Sequence, residues 1–418
     1  MISRRRFIQQ TGATILGAGL LPSLLRDQVW AAAHAGTAAG FEKRVLVLII
    51  QRGAMDGLSM VAPLADRHYL EARPNLAIRA QGEGAALRLD GNFGLHPAFS
   101  ALKPFWDDST LAFIHQVGQD NPTRSHFDAQ DYLESGTPGQ KSTSDGFLNR
   151  VLRSNPAPLG DPPLRGVAMQ PSMPRILQGK YPALSMNSLK DFQIKVSASQ
   201  KGGVQGFEAM YRSAADQVLR GAGNEAFRSL RAVATLRKDS KERAESYPKS
   251  GIGTRLHEIA TLIQADLGMQ VAVTDMGGWD THVNQGAAKG QLADRFKELS
   301  EALAAFRSDL GQRFEQVCVV TVTEFGRTVK EDGNRGTDHG HGSVMSLMGS
   351  QVRGGKVHGK WKELSPANLF EGRDLPVTTD LRDVFSEILK KHLGLIDIDA
   401  AFPEHRIDPA RFLDLIRT

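Results

Sequence analysis

The chain has 418 residues, of which 41% are hydrophobic and 23% are charged. This length supports one large domain or two ordinary ones, and the composition excludes a largely disordered chain or one made of many membrane spans. The formal charge of +5 would indicate a nucleic-acid partner only if the basic residues were gathered in one tract, and they are not.

The first residues have the features of an export signal. Three arginines at positions 4–6 precede a glycine-containing apolar stretch over residues 11–25, and an alanine-rich segment follows at residues 31–35. This order is typical of a twin-arginine (Tat) signal peptide, which we predict over residues 1–35. The alternative is an amphipathic N-terminal helix.

Loss of that signal changes the charge of the remaining protein. It removes four arginines and one aspartate, which lowers the formal charge from +5 to +2. We therefore expect no nucleic-acid partner, no stable membrane span after processing, and a periplasmic or secreted location. The Tat translocase would be a partner during export. Because that route carries folded proteins, it favours a metal inserted in the cytoplasm before export.

Four apolar runs of strand length follow along the chain, and each ends in a polar cluster. They cover residues 45–50, 110–117, 267–274 and 317–323. Helical patterns at residues 256–266 and 291–310 precede the third and fourth runs. This alternation predicts an α/β fold with a mostly parallel central sheet flanked by helices, and such sheets place their sites beyond the carboxyl ends of the strands.

The other segments complete one predicted domain over residues 40–418. Residues 152–250 contain a proline-rich stretch and then a polar helical run at 206–245, which we interpret as an inserted helical cap. Residues 380–393 and 402–416 are predicted to be closing helices.

Oxygen and imidazole donors follow the ends of all four of these strands. Such donors hold Zn, Mn, Mg or Ca, and the neighbouring glycines allow the backbone to aim short side chains at one point. We therefore predict a divalent metal site with open positions, which suits hydrolysis. The alternative is a set of loop-capping carboxylates and hydrogen-bonded histidines. The candidate ligands are Asp56, Asp280, His282, Glu324, Asp338, His339 and His341.

Together these motifs resemble the bacterial domain-of-unknown-function 1501 family, whose members look like divergent relatives of the alkaline phosphatase and sulfatase superfamily. The resemblance covers residues 44–394 and implies an alkaline-phosphatase-like sheet. It is carried by Gly53-Ala54-Met55-Asp56-Gly57-Leu58, Arg124-Ser125-His126-Phe127, Gly278-Trp279-Asp280-Thr281-His282, Thr323-Glu324-Phe325-Gly326-Arg327-Thr328 and Gly336-Thr337-Asp338-His339-Gly340.

The superfamily resemblance implies roles for several donors. Asp56 would be a metal ligand, and Asp280 with His282 would serve the other metal position. The strand that ends at Glu324 is similar to one that supplies an acidic residue plus His or Asn, but here phenylalanine follows the acid. Either His339 corresponds to the late histidine, or it forms the displaced pair with the aspartate before it.

The same resemblance indicates a nucleophile region. The turn from Pro122 to Ser125 is similar to the superfamily's nucleophile turn, so Thr123 and Ser125 are candidate nucleophiles. Their alternative role is to cap the following helix. His126 is a candidate ligand or proton donor. Arg124, like Arg52 and Arg327, would clamp a tetrahedral anion or form an ion pair.

The sequence therefore predicts an exported metal-dependent hydrolase that acts on a phosphate or sulfate ester, with a small anionic ester or glycan-type molecule as substrate. The alternative is a non-catalytic, alkaline-phosphatase-like periplasmic protein that binds an anion, a glycan or an envelope partner. The pair Glu324-Phe325 favours this alternative, because catalytic relatives carry Asp-His or Asp-Asn there.

Overall fold

A computed structural model describes residues 43–155, 164–189 and 245–417. The predicted signal over residues 1–35 and most of the predicted helical run at 206–245 lie outside the described residues. None of the helices in the described part of the chain combines the length and apolar character needed to cross a membrane.

The described residues contain a nine-stranded sheet in the order β11-β5-β10-β9-β1-β8-β6-β7, with β12 also paired to β5. Every pair in it is parallel except those of β10, and β2, β4 and β3 form a small separate sheet. The strands are β1 Val45–Gln51, β2 Val61–Ala62, β3 Leu87–Arg88, β4 Gly94–Leu95, β5 Leu111–Gly118, β6 Gly166–Met169, β7 Leu184–Met186, β8 Val271–Met276, β9 Val317–Val322, β10 Ser343–Met348, β11 Lys356–His358 and β12 Thr379–Asp380.

The prediction of a mostly parallel α/β sheet is confirmed, and the four predicted strands correspond to β1, β5, β8 and β9. Eight α-helices accompany them in the described residues. They are α1 Gly57–Met60, α2 Arg67–Ala72, α3 Lys103–Asp107, α4 His126–Ser135, α5 Phe147–Ser154, α6 Gly251–Gln264, α7 Gln291–Leu310 and α8 Leu381–Lys391.

Both faces of the sheet are covered, which explains the continuous aliphatic run of β1. Its alternate residues belong to two different hydrophobic cores. One core contains Val47 with Leu256 of α6 and Phe296 of α7. The other contains Leu48 with Phe385 of α8. A strand buried on both sides needs apolar residues at every position.

Residues 164–189 correct part of the predicted cap over 152–250. They contain β6 and β7, which extend the sheet beyond β8 in parallel register. The run Gly166–Met169 is only four residues long and lies between prolines, so its sequence does not stand out as a strand. Residues 190–244 of the predicted cap lie outside the described residues.

The predicted closing helix at 402–416 is also wrong. These residues form turns, a single 3₁₀ turn at Pro409–Arg411 and a bridge between Val352 and Ile416. Pro403 and Pro409 lack the amide donor that a helix requires, which explains the difference. The other predicted closing helix is present as α8.

Candidate metal centre

Three histidines and one aspartate meet beyond the carboxyl edge of the sheet. His126 is the first residue of α4, Asp280 and His282 follow β8, and His339 lies between β9 and β10. The Nε2 atom of His339 is 3.0 Å from Nε2 of His126 and 3.1 Å from Nε2 of His282. Asp280 Oδ1 is 2.9 Å from His282 Nε2 and 3.2 Å from His339 Nε2, and its Oδ2 is 3.5 Å from His126 Nε2. We call these four residues the His-Asp cluster.

Each imidazole of the cluster is held through its other nitrogen, Nδ1, by an oxygen that can only accept a hydrogen bond. The pairs are His126 with Glu324 Oε1 (2.7 Å), His282 with Asp338 Oδ1 (3.2 Å) and His339 with the backbone oxygen of Arg124 (2.9 Å). An ionised carboxylate or a carbonyl requires a proton on Nδ1, so in the neutral ring Nε2 carries a lone pair. Metal-binding histidines are typically oriented in this way.

The Nε2 lone pairs of His126 and of His282 therefore each face that of His339 at short range. A single proton placed between two ring nitrogens would turn one of these contacts into a hydrogen bond. His339 Nε2, however, contacts the nitrogens of two rings at once. Two nitrogens that bind one ion at about 2.1 Å are roughly 3 Å apart in ordinary coordination geometries. One ligand atom each from His126, Asp280 and His339 lies within 4.8 Å of the others. The donor set therefore fits a divalent metal ion.

Arg327 balances the charge of the carboxylate in the cluster. Its side chain is buried, and its Nη2 lies 2.9 Å from Asp280 Oδ1. Burial alone would raise the pKa of Asp280, but Arg327 and His282 hold that pKa below its ordinary value. On its other side the cluster is open to solvent, because the side chains of Asp280 and His282 are 43% and 40% exposed.

Glu324 supports the cluster and is not directed at its centre. This buried carboxylate accepts hydrogen bonds from the backbone N–H of Gly53 (2.9 Å), from Gln130 Nε2 (2.9 Å) and from His126. Those bonds hold the pKa of Glu324 below its usual range although burial raises it, and Glu324 in turn raises the pKa of His126. Glu324, a predicted ligand, therefore lies in this structure as a hydrogen-bond partner of His126 and outside the His-Asp cluster.

Phe325 stacks on the ring of His126, with the ring centroids 4.9 Å apart. The residue after Glu324 therefore supplies no ligand atom and instead packs against the candidate ligand His126. Asp338 has a comparable supporting position through its contact with His282, although its side chain is 61% exposed. Burial lowers the pKa of His339, which favours its neutral, metal-binding form.

The structure does not bring Asp56 into the His-Asp cluster. Its buried Oδ2 accepts from Arg73 Nη1 (2.6 Å), Ser59 Oγ (2.7 Å) and Gln285 Nε2 (2.7 Å). A carboxylate with an arginine and two further donors on one oxygen is already satisfied inside the protein. Asp56, a predicted ligand, therefore lies in this structure in a buried ion pair with Arg73.

His341, the other predicted ligand outside the cluster, packs its buried ring against Phe370 with the centroids 4.4 Å apart. Burial lowers the pKa of His341. Its position two residues after His339 therefore places it in the packing of the same loop and not among the converging donors.

The predicted catalytic segment contributes mainly through its backbone. Ser125 is the N-cap of α4 and accepts from the N–H of Asp128 (3.4 Å), and Thr123 Oγ1 accepts from the N–H of Ser125 (3.3 Å). Arg124 forms ion pairs of 2.6 Å with Glu371 and with Asp374. In this structure the Ser125 side chain therefore caps the helix and the Arg124 side chain forms ion pairs, as expected from the alternative roles. The backbone carbonyl of Arg124 orients His339.

Close backbone approach lets these loops meet. A Cβ atom on Gly53, whose φ is +118°, would lie 2.9 Å from the backbone N of Asp280. On Gly336 it would lie 2.2 Å from the carbonyl oxygen of His282. Only glycine permits both approaches, so each glycine holds a ligand-bearing loop in place.

We expect the Glu324→Gln substitution to weaken metal binding by about 10- to 100-fold, because it keeps the shape of the side chain but removes the charge that holds His126. The measurement is a competition titration against a coloured chelator. Glu387→Gln is the matched control, since Glu387 is an equally buried carboxylate that pairs with Lys391 on α8. Equal affinities for the Glu324→Gln and wild-type proteins would contradict a role for Glu324 at the centre.

Comparison with known proteins places the chain in a family. Residues 111–405 match the family described as "Protein of unknown function (DUF1501)". No curated protein matches the chain. The matched residues make up more than half of the sequence and include all four members of the His-Asp cluster. The chain therefore belongs to the DUF1501 family.

Proposed function

We propose that the protein is a metal-dependent hydrolase of phosphate or sulfate esters, with the His-Asp cluster as its centre. The observation that supports this is the convergence of the supported imidazoles of His126 and His339 with the Asp280 carboxylate, beside a third supported imidazole at His282, in a position open to solvent. A divalent ion bound there would act as a Lewis acid and would lower the pKa of a bound water molecule.

The surrounding residues suit the chemistry of an anionic substrate. Imidazoles that bind a metal ion do so in the neutral form and bring no charge, and Arg327 offsets the charge of Asp280 at 2.9 Å. The buried Glu324 and the exposed Asp338 add two negative charges one layer further out. The charge of a divalent ion is thus not cancelled by its direct ligands, so an anionic oxygen remains a favourable additional ligand.

Water is a better candidate nucleophile than the hydroxyls of Thr123 or Ser125. Within the described residues, neither hydroxyl is hydrogen-bonded to a histidine or to a carboxylate, and that of Ser125 caps α4. Ser125 directly precedes His126 in the chain, and Thr123 lies three residues before it. Ser125→Ala therefore tests the hydroxyl mechanism without removing a ligand.

The proposal extends to the fold family and to the location. We propose an alkaline-phosphatase-like fold, supported by the motif resemblance and by the mostly parallel sheet with its site at the carboxyl edge. We also propose export through the Tat translocase to the periplasm or outside the cell, supported by the pattern of residues 1–35.

Aryl phosphate monoesters, phosphate diesters and aryl sulfates assayed with protein reloaded with Zn, Mn, Mg or Ca test the activity. We expect turnover that requires metal, that falls to background in Asp280→Ala and that persists in Ser125→Ala. Loss of turnover in Ser125→Ala with metal still bound would identify the Ser125 hydroxyl, instead of water, as the nucleophile. Background rates for metal-loaded wild-type protein with every ester and ion would overturn the hydrolase proposal.

A specific observation favours the non-catalytic alternative. Two residues that the superfamily resemblance assigns as metal ligands lie outside the cluster. Asp56 pairs with Arg73, and Glu324 accepts hydrogen bonds from Gly53 and Gln130. A reduced centre of this kind would bind an anion or glycan without turning it over. Metal-dependent binding of phosphate or sulfate in calorimetry, without hydrolysis, would support this second function.

A further inference from the structure

We propose that Gln285 ties together two loops that carry three of the four residues of the His-Asp cluster, and that Asp56 acts on the metal centre as a positioning residue that orients Gln285. This inference rests on the proposed metal centre. It assigns a role to a buried polar network of Asp56, Arg73, Thr281, Gln285 and Thr337, residues that lie outside the helices and the strands of the central sheet.

The amide oxygen of Gln285 joins the two loops. It accepts hydrogen bonds from Thr281 Oγ1 at 2.7 Å and from Thr337 Oγ1 at 2.8 Å. Thr281 lies between Asp280 and His282, and Thr337 lies two residues before His339. The backbone N–H of Thr337 also donates to the carbonyl oxygen of Thr281 at 3.1 Å. One side chain therefore connects the segments that supply three of the four cluster residues.

Asp56 determines which way the Gln285 amide points. The nitrogen of a glutamine amide can only donate and its oxygen can only accept, so its partners fix the orientation. Gln285 Nε2 lies 2.7 Å from Asp56 Oδ2, and an ionised carboxylate can only accept. The amide oxygen must then face the two threonine hydroxyls. A neutral or absent group at position 56 would leave both orientations open.

Arg73 keeps Asp56 in place and links a third loop. Its Nη1 donates to Asp56 Oδ2, while Nε donates to the carbonyl oxygen of Val329 (2.9 Å) and Nη2 to that of Thr328 (2.8 Å). These residues directly follow Arg327, the cation that pairs with Asp280. The loop that holds the counter-ion is therefore fixed to the same network as the loops that hold the ligands.

Burial makes these bonds effective as positioning elements. Asp56, Arg73, Thr281, Gln285 and Thr337 are all buried, so water does not compete for their donors and acceptors. A metal site requires its ligands within about 0.5 Å of the correct geometry, and such precision comes from side chains that are themselves locked. The network therefore sets the distance between the Asp280–His282 segment and His339.

Removing the two threonine hydroxyls tests the inference. We expect Thr281→Val and Thr337→Val each to weaken metal binding by roughly 10-fold and the double variant by up to about 100-fold. The visible absorption bands of the cobalt(II)-loaded protein should also shift, since they report ligand geometry. Thr281→Ser and Thr337→Ser keep the hydroxyl and should restore both the affinity and the spectrum.

Thr261→Val is the matched control. The Thr261 hydroxyl is equally buried and donates to the carbonyl oxygen of His257 within α6, away from the ligand loops. We expect this variant to keep the wild-type affinity and cobalt spectrum whatever its effect on the free energy of unfolding. Each single threonine variant leaves one hydroxyl that still donates to the Gln285 oxygen, so it disturbs the fold less than the double variant does. The single variants therefore test the inference even if the double variant does not fold.

The outcomes separate this inference from the proposed function. Unchanged affinity and spectrum in both folded valine variants would overturn the positioning role and leave the hydrolase proposal intact. A wild-type protein that binds metal but hydrolyses no ester, with the valine variants affected as expected, would overturn the hydrolase proposal alone. A wild-type protein that takes up no metal would overturn both.

Discussion

Alanine at Asp280 or at His339 should reduce metal affinity by more than about 100-fold, because partners outside the direct ligands already contribute about 10- to 100-fold. His339 Nε2 is the atom common to both imidazole contacts of the cluster, and Asp280 supplies its only carboxylate. Asp280→Ala also leaves the buried Arg327 without its counter-ion. Elemental analysis after dialysis against each divalent metal measures the loss of stoichiometric binding.

His341→Ala distinguishes the structure from the sequence prediction. The motif places His341 among the ligands, whereas the structure packs its ring on Phe370. We expect this variant to bind metal stoichiometrically, and His68→Ala, which removes a histidine paired with Glu71 on α2, to do the same. Stoichiometric metal in His339→Ala, or its loss in His341→Ala, would contradict the assignment of the centre.

The central strands were predictable because burial on both faces leaves a signal in the sequence. β1 is a run of aliphatic residues up to Gln51, β9 is an apolar run interrupted only by Thr321, and the apolar residues of each alternate between the two hydrophobic cores. β10 carries no such signal. It contains two serines, follows a glycine-rich loop and inserts between β5 and β9 in the antiparallel sense. Its place depends on pairing partners far away in the chain.

The location of the site was predictable, but the role of each donor was not. Carboxyl ends of parallel strands lie at one edge, so polar clusters after β1, β5, β8 and β9 had to be neighbours. Whether a carboxylate is available as a metal ligand depends on which other groups contact it in the folded protein. Arg73 lies 17 residues from Asp56, and the Gly53 amide lies 271 residues from Glu324. Neither contact leaves a pattern in the sequence.

The second large effect is expected from Arg73→Met, which should lower the free energy of unfolding by about 3–5 kcal/mol at neutral pH. The Arg73 and Asp56 side chains are 0% and 1% exposed, so the substitution leaves a buried carboxylate without its cation. Urea unfolding at pH 7 measures the loss. Replacing the carboxylate as well, in Asp56→Asn with Arg73→Met, should recover part of it, because no unpaired charge then remains.

The pH dependence of that loss identifies its cause. In the wild-type protein, burial raises the pKa of Asp56, but Arg73 together with the hydrogen bonds from Ser59 and Gln285 outweighs it, and the net pKa lies below the ordinary value. A lowered carboxyl pKa contributes stability that is present above the unfolded pKa and is lost as the pH falls through the folded one. In Arg73→Met the burial contribution is no longer opposed by a cation, and the pKa rises.

A raised carboxyl pKa has the opposite sign, so stability is gained as the pH falls toward the unfolded pKa and lost as the pH rises through the folded one. The difference between the wild-type and Arg73→Met proteins should therefore be largest near pH 7 and should shrink as the pH falls through the raised pKa of the variant. The Asp56→Asn, Arg73→Met double variant lacks this titration. A difference that stays constant across that range would mean that lost packing, and not the unpaired Asp56 charge, causes the destabilisation.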